Sequence, residues 1–219
     1  MMRLTGFLSC SVKYLTLLSL SLAAGCSLTR HYVNDPCKSR AYIRTVIPDY
    51  VSTRFQSNAP VRVAIVPFSV PANVAGMNNE LPGLGNDLAW KIHERFVDSN
   101  VFPIVEVFNR QDWPRKKEEF HTGNFGAIAS ARDAGYDLVF VGNVDPMKSL
   151  DELSATTKLI ETESGTTVWF GQTTARSEAR NINKSLSNYY LADRVPSTFD
   201  LGGLEEDLSR CIVREVTRE

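Results

Sequence analysis

From residue 61 onward, short apolar runs alternate with segments that have a helical apolar period. Runs rich in β-branched and aromatic residues predict buried strands. A hairpin is predicted where Glu163-Ser164-Gly165 separates the last two runs, because three residues that end in glycine are typical of such a turn. The predicted strands cover 61–68, 101–108, 136–144, 155–162 and 166–173.

Three segments predict helices. Leu84, Leu88, Ile92 and Phe96 recur every four residues and form one apolar stripe. A shorter helix is expected over 127–134, and a last one begins near residue 201, with its inner face formed by Leu204, Leu208, Ile212 and Val216.

The order β-α-β-α-β-β-β-α predicts a single α/β domain over residues 60–219. Its mixed sheet would end in an antiparallel meander, with helices packed on the sheet and one helix at the C-terminus.

The N-terminal residues are typical of a lipoprotein signal peptide over 1–25. Arg3 and Lys13 precede an apolar stretch at 14–24, which is shorter than the roughly 20 residues a transmembrane helix needs. Small residues stand directly before Cys26, as a lipoprotein signal peptidase requires. We therefore expect lipid, including palmitate, on Cys26. There are two alternatives: an ordinary secretory signal that leaves Cys26 as a plain thiol, and an uncleaved membrane anchor.

Residues 26–59 contain scattered prolines and tyrosines without a sustained apolar period, so we expect a lipidated tether there. Ser27 follows the lipidated position, whereas an Asp there would resemble an inner-membrane retention signal. In a Gram-negative source, this resemblance points to the periplasmic side of the outer membrane.

Two cysteines remain for the mature chain, Cys37 and Cys211. An even pair in an oxidising compartment predicts a disulfide. The alternative is that Cys211 is a buried core thiol.

Charge and motifs give no sign of catalysis or nucleic-acid binding. The chain has 24 basic and 25 acidic residues, a balance that does not favour polyanions. His93-Glu94 begins a zinc-protease motif, but Val97 stands where the second ligand belongs, and Gly83-Leu84-Gly85 lacks the third glycine of a dinucleotide loop. We expect no catalytic residue, metal or cofactor.

Aromatic residues outside the apolar stripes are the candidates for partner binding. Trp90 lies two residues after Leu88, which rotates it by about 200° from the buried stripe. Tyr189 and Tyr190 lie in a polar segment before the last helix, and Trp169 lies in the predicted hairpin. Each could instead pack beneath a loop or at a sheet edge.

Four sequence segments resemble the CsgG-like superfamily of outer-membrane lipoproteins, which includes PelC-like, LpoB-like and TolB N-terminal-like domains. They are VAIVPF, VFPIVEV, AGYDLVFVGNV and TKLIETESGTTVWF, within residues 61–173. The resemblance implies a small periplasmic α/β domain that forms rings or docks on a partner. The long amphipathic hairpins of a curli-type channel are missing between Val61 and Trp169, which favours a PelC- or LpoB-like accessory role.

Together these features predict an outer-membrane-anchored periplasmic lipoprotein that acts by protein contacts in envelope assembly or export. Its partner would be an envelope protein or another copy of itself. A monomeric ligand-binding or cell-wall-binding lipoprotein is the alternative.

Overall fold

The computed structural model describes residues 35–55, 59–71, 83–108, 120, 123–176 and 201–218. Pro36 to Glu219 form one compact unit. In the described part of the chain, no helix is both long and apolar enough to cross a membrane.

Six strands form one mixed sheet in the order β1-β6-β5-β4-β2-β3. Strand β2 is parallel to both β3 and β4, while the pairs β4–β5, β5–β6 and β1–β6 are antiparallel. This arrangement confirms the predicted α/β class and mixed sheet. The strands are β1 Cys37–Arg44, β2 Arg62–Ile65, β3 Ile104–Val107, β4 Leu138–Val144, β5 Glu152–Glu161 and β6 Thr167–Arg176.

The helices pack on both faces of the sheet. They are α1 Ile47–Arg54, α2 Leu84–Ser99, α3 Phe125–Asp133 and α4 Leu201–Val216. The apolar stripes of α2 and α4 share the larger core with Ile47 of α1 and with one sheet face. On the other face, Ala127 and Ala131 of α3 pack with Ala64 and Val139. The periodicities of α2 and α4 predicted these buried stripes correctly.

The predicted tether at 26–59 is wrong for residues 37–54, which belong to the domain. Strand β1 pairs with β6 from Cys37 to Arg44, yet it leaves most of its side chains exposed and so lacks an apolar pattern. Pro48, taken as a sign of a linker, lies in the first turn of α1, where proline is favoured because its missing N–H is not needed. The compact unit therefore begins at Pro36 rather than residue 60.

The predicted hairpin joins β5 to β6. Gly165 has φ +71°, a left-handed conformation that suits glycine, and its N–H donates to the Glu161 carbonyl at 2.9 Å. Both strands extend three residues further from the turn than predicted, because Glu152 and Arg176 continue the ladder as a cross-strand pair.

Gly85, the second residue of α2, lets the helix pack closely against the end of the strand segment that follows β2. The Phe68 N–H donates to the Gly85 carbonyl at 2.9 Å. A Cβ atom on Gly85 would lie only 2.0 Å from the Phe68 carbonyl oxygen, so the strand end and the helix can approach this closely only at a glycine.

Candidate functional site

Helix α2 presents Trp90 on the side opposite its buried stripe. Leu88, Ile92 and Phe96 are fully buried, whereas 48% of Trp90 is exposed. The indole lies edge-on to the His93 ring, with the ring centroids 5.4 Å apart. The helical angle predicted this placement, and the contact role of Trp90 stays a prediction.

Four residues on this side of the helix form what we call the α2 outer stripe. They follow one another at intervals of three to four residues, so they share a helix face. All are exposed, and Val97 is exposed to the same 48% as Trp90. The α2 outer stripe consists of Asp87, Trp90, Glu94 and Val97.

The basic residues of α2 turn away from the stripe toward α4. Lys91 Nζ lies 3.1 Å from Glu205 Oε2, and Arg95 Nε donates to Ser209 Oγ at 2.9 Å. The charges left beside Trp90 are therefore the carboxylates of Asp87 and Glu94. The stripe is apolar and acidic together, which is the electrostatic character a partner would meet.

His93 connects α2 to the edge of the sheet. Its Nε2 lies 3.1 Å from the Val105 carbonyl oxygen of β3, the last strand in the sheet order. Within the described ranges, the buried Nδ1 has no hydrogen-bond partner, and no group of three metal-ligating residues occurs. His93 therefore has a structural contact and helps to orient the Trp90 ring beside it.

A second exposed surface lies at the other end of the sheet, on β1. Lys38 and Arg40 are exposed, and 48% of Tyr42 is exposed. The Arg40 guanidinium lies 5.3 Å from the centre of the Tyr42 ring, and that ring packs against Phe170 at 4.9 Å. This edge is basic and aromatic, in contrast to the α2 outer stripe.

Other predicted residues are distributed as follows. Cys37 and Cys211 form a disulfide in the structure, with Cα atoms 5.5 Å apart. Cys26, Tyr189 and Tyr190 lie outside the described residues.

Trp169 is 1% exposed, so the interpretation of this residue as a contact candidate is wrong. A register shift at Leu159/Ile160 lets both Val168 and Trp169 face the core.

Sequence reasoning missed Tyr42, since it lay in the predicted tether, and the Lys91–Glu205 pair. The available signal for Tyr42 was an aromatic residue flanked by arginines in CKSRAYIR. Lys91 and Glu205 are 114 positions apart, so no local pattern reveals their ion pair.

No family model and no curated protein matches the chain. Among solved structures, it is similar to a PelC dodecamer from Paraburkholderia phytofirmans, with 14% identity over 84% of this chain and 99% of that one and a TM-score of 0.49. A hypothetical protein from Chlamydia trachomatis matches with 13% identity, 70% and 94% coverage and a TM-score of 0.45. The LpoB C-terminal domain from Salmonella enterica has 15% identity, 60% and 96% coverage and a TM-score of 0.36. With TM-scores below 0.5, these similarities carry no functional conclusion.

Proposed function

We propose that this chain is a lipid-anchored protein on the periplasmic side of the outer membrane and acts by protein contacts in envelope assembly or export. The observation that carries the proposal is the α2 outer stripe, where a half-exposed Trp90 lies between two carboxylates. The proposal excludes catalysis by the chain itself.

Trp90 has the properties of an interface anchor. Tryptophan is enriched among the residues that dominate binding energy, because it buries a large apolar area with few rotatable bonds. Its contact with His93 restricts the indole before any partner arrives. A partner that covered Trp90 and Val97 would remove their exposed apolar area from water, which stabilises a complex by about 25 cal/mol per Å².

The acidic stripe calls for a partner surface that combines basic and apolar side chains. An envelope protein with such a surface would fit. Another copy of the chain would fit too, because β1 offers Lys38, Arg40 and Tyr42. The α2 outer stripe and β1 belong to different elements, and a contact between two unlike surfaces is heterologous, so it would repeat into a ring or a filament.

A lipid on Cys26 would make a modest interface sufficient. Confinement near a membrane raises the effective concentration of a partner held at the same membrane, and linked sites commonly reach the millimolar range. The proposed anchor thus accounts for a small contact surface with one tryptophan.

Photocrosslinking in cells tests the proposal. A benzoylphenylalanine residue replaces Trp90 in one strain and Phe125, which is 75% exposed on α3, in a control strain. We expect discrete adducts from position 90 and none from position 125. An adduct with twice the mass of the chain would identify a second copy, and any other mass would identify an envelope partner. Absence of adducts at 90, or the same adducts at both positions, would contradict the proposal.

The second candidate function is ligand binding by a monomer. A cavity on the sheet face opposite α2 and α4 favours it, because Lys158 and Asp145 line this cavity together with the rings of Phe120 and Phe170.

A further inference from the structure

A cavity of about 300 Å³ opens on strands β4, β5 and β6, on the face of the sheet opposite α4. Leu153, Ala155 and Leu159 of β5 point into the core shared with α4, so Thr156 and Lys158 point to the opposite face. The cavity is lined by Phe120, Asn143, Asp145, Thr156, Lys158 and Phe170.

The strand register assembles these side chains in two rows. Lys158 pairs with Phe170 across β5 and β6. One row along, Thr156 pairs with Asn143 of β4 on one side and with Gln172 of β6 on the other. Side chains two positions apart on a strand lie about 7 Å apart, so the Lys158 row and the Thr156 row can contact one small molecule together.

Lys158 has an ammonium group that the described residues satisfy only in part. Its Nζ donates to the Phe120 carbonyl at 2.8 Å and lies 4.5 Å and 5.4 Å from the centres of the Phe120 and Phe170 rings. An ammonium has three donors, and in the described ranges no carboxylate forms an ion pair with this one. Burial lowers the pKa of Lys158, so an anion that entered the cavity would stabilise its charged form.

The other row supplies oriented hydrogen-bonding groups. Asp145 is held by Thr156, which donates to Oδ1 at 3.0 Å, and by Gln172, which donates to Oδ2 at 2.7 Å. Each carboxylate oxygen keeps capacity for a further donor. Asn143 Oδ1 accepts from Ser69 at 2.5 Å, and this bond directs its amide.

We infer that this cavity binds a small hydroxylated carboxylate, of the kind a uronic acid represents. Its carboxylate would pair with Lys158, its hydroxyl groups would donate to Asp145, and the apolar face of its ring would lie on Phe170. A neutral sugar would leave the ammonium without an anion, while a dicarboxylate would place its second charge against Asp145. The volume is at the lower end for ligand sites and fits a single ring.

The site does not depend on the α2 outer stripe, so the inference and the proposed function can fail separately. The test uses the full chain purified in detergent, with ligand-observed saturation-transfer NMR and calorimetry. The probes are glucuronate, glucose and inorganic phosphate.

Glucuronate should bind, and glucose should bind at least about tenfold more weakly, because a hydrogen bond to a charged group is lost. Lys158→Met should weaken glucuronate binding about tenfold or more, whereas Lys148→Met, at an exposed lysine that does not line the cavity, should leave it unchanged.

Three results would overturn the inference: equal binding of glucose and glucuronate by the wild-type chain, full binding by Lys158→Met, or no saturation transfer to glucuronate. Displacement of glucuronate by an equal concentration of phosphate would also overturn it, since the cavity would then recognise any anion. The wild-type comparison of the two sugars decides the matter even if Lys158→Met does not fold.

Discussion

A disulfide joins Cys37 at the start of β1 to Cys211 within α4, with the two Cα atoms 5.5 Å apart although the cysteines are 174 positions apart in the sequence. Cys211 is fully buried in the larger core. The bond therefore ties the edge strand of the sheet to the helix that covers the core.

Loss of this bond should destabilise the domain. The chain-entropy argument for so long a loop gives about 5 kcal/mol as an upper figure. Urea unfolding of Cys37→Ala should show this loss, and wild type with dithiothreitol should unfold like the variant. A reductant that leaves the wild-type midpoint unchanged would show that the two thiols are not bonded in solution.

Cys26 should carry the lipid that holds the chain on the membrane. Each buried methylene contributes about 0.8 kcal/mol, so two or more chains anchor a protein almost permanently. Cys26→Ser should lose palmitate labelling and either enter the soluble periplasmic fraction or remain uncleaved. Cys10→Ser, within the predicted signal peptide, is the matched control and should keep both the label and the membrane location. Unchanged labelling of Cys26→Ser would refute the anchor.

Gly85 should tolerate no side chain, because its Cβ would lie 2.0 Å from the Phe68 carbonyl oxygen. We expect Gly85→Ala to lower the free energy of unfolding by about 3 kcal/mol, as overpacking against backbone does. At Gly83 the nearest atom belongs to the Asp87 side chain at 3.1 Å, and this chain can rotate away. Thermal unfolding of Gly83→Ala should therefore resemble wild type. Similar losses in both variants would contradict the close approach as the cause. Helix propensity cannot explain a loss in either variant, because alanine favours a helix more than glycine does.

Glu205 should make stability depend on pH. Burial raises its pKa, against the opposing effects of the hydrogen bond and charge of Lys91. Because the folded pKa lies above the unfolded value of about 4.3, the contribution of Glu205 to stability is fully present below that value and is lost as the pH rises through the folded pKa.

Glu205→Gln removes this dependence and can still accept a hydrogen bond from Lys91. Measured by urea unfolding between about pH 4 and pH 7, the variant should gain stability relative to wild type as the pH rises. Glu206→Gln removes an ion pair with Arg95 at a side chain that is 53% exposed, so it should change the stability by at most about 1 kcal/mol. If Glu205→Gln loses stability relative to wild type with rising pH, the ion pair with Lys91 outweighs the cost of burial.

The sequence could predict the elements that bury one clear face. The stripes of α2 and α4 and the alternation in β5 have strong periods, and all three elements form as expected. Strand β1 buries little of its surface, so its pattern resembled that of a linker. Its position follows from pairing with β6, a long-range contact that no local pattern encodes.

The candidate site was predictable only in part. Trp90 could be placed because a regular helix fixes the angle between residues. Trp169 could not be placed in this way, because the register shift beside it breaks the alternation of inward and outward side chains along the hairpin. The cavity at Lys158 depends on three strands in register, which the sequence alone does not align.

The most direct test of the central claim compares Trp90→Ala with Phe125→Ala, an equally drastic change at a more exposed aromatic residue. Two quantities are measured for each full-length variant: the melting temperature, and the amount of partner or second copy recovered with it after mild detergent extraction. We predict that Trp90→Ala keeps a wild-type melting temperature and loses most of the recovered partner, while Phe125→Ala changes neither. Full recovery with Trp90→Ala, or a fall in its stability of about 3 kcal/mol as for a buried tryptophan, would contradict a contact role for the α2 outer stripe.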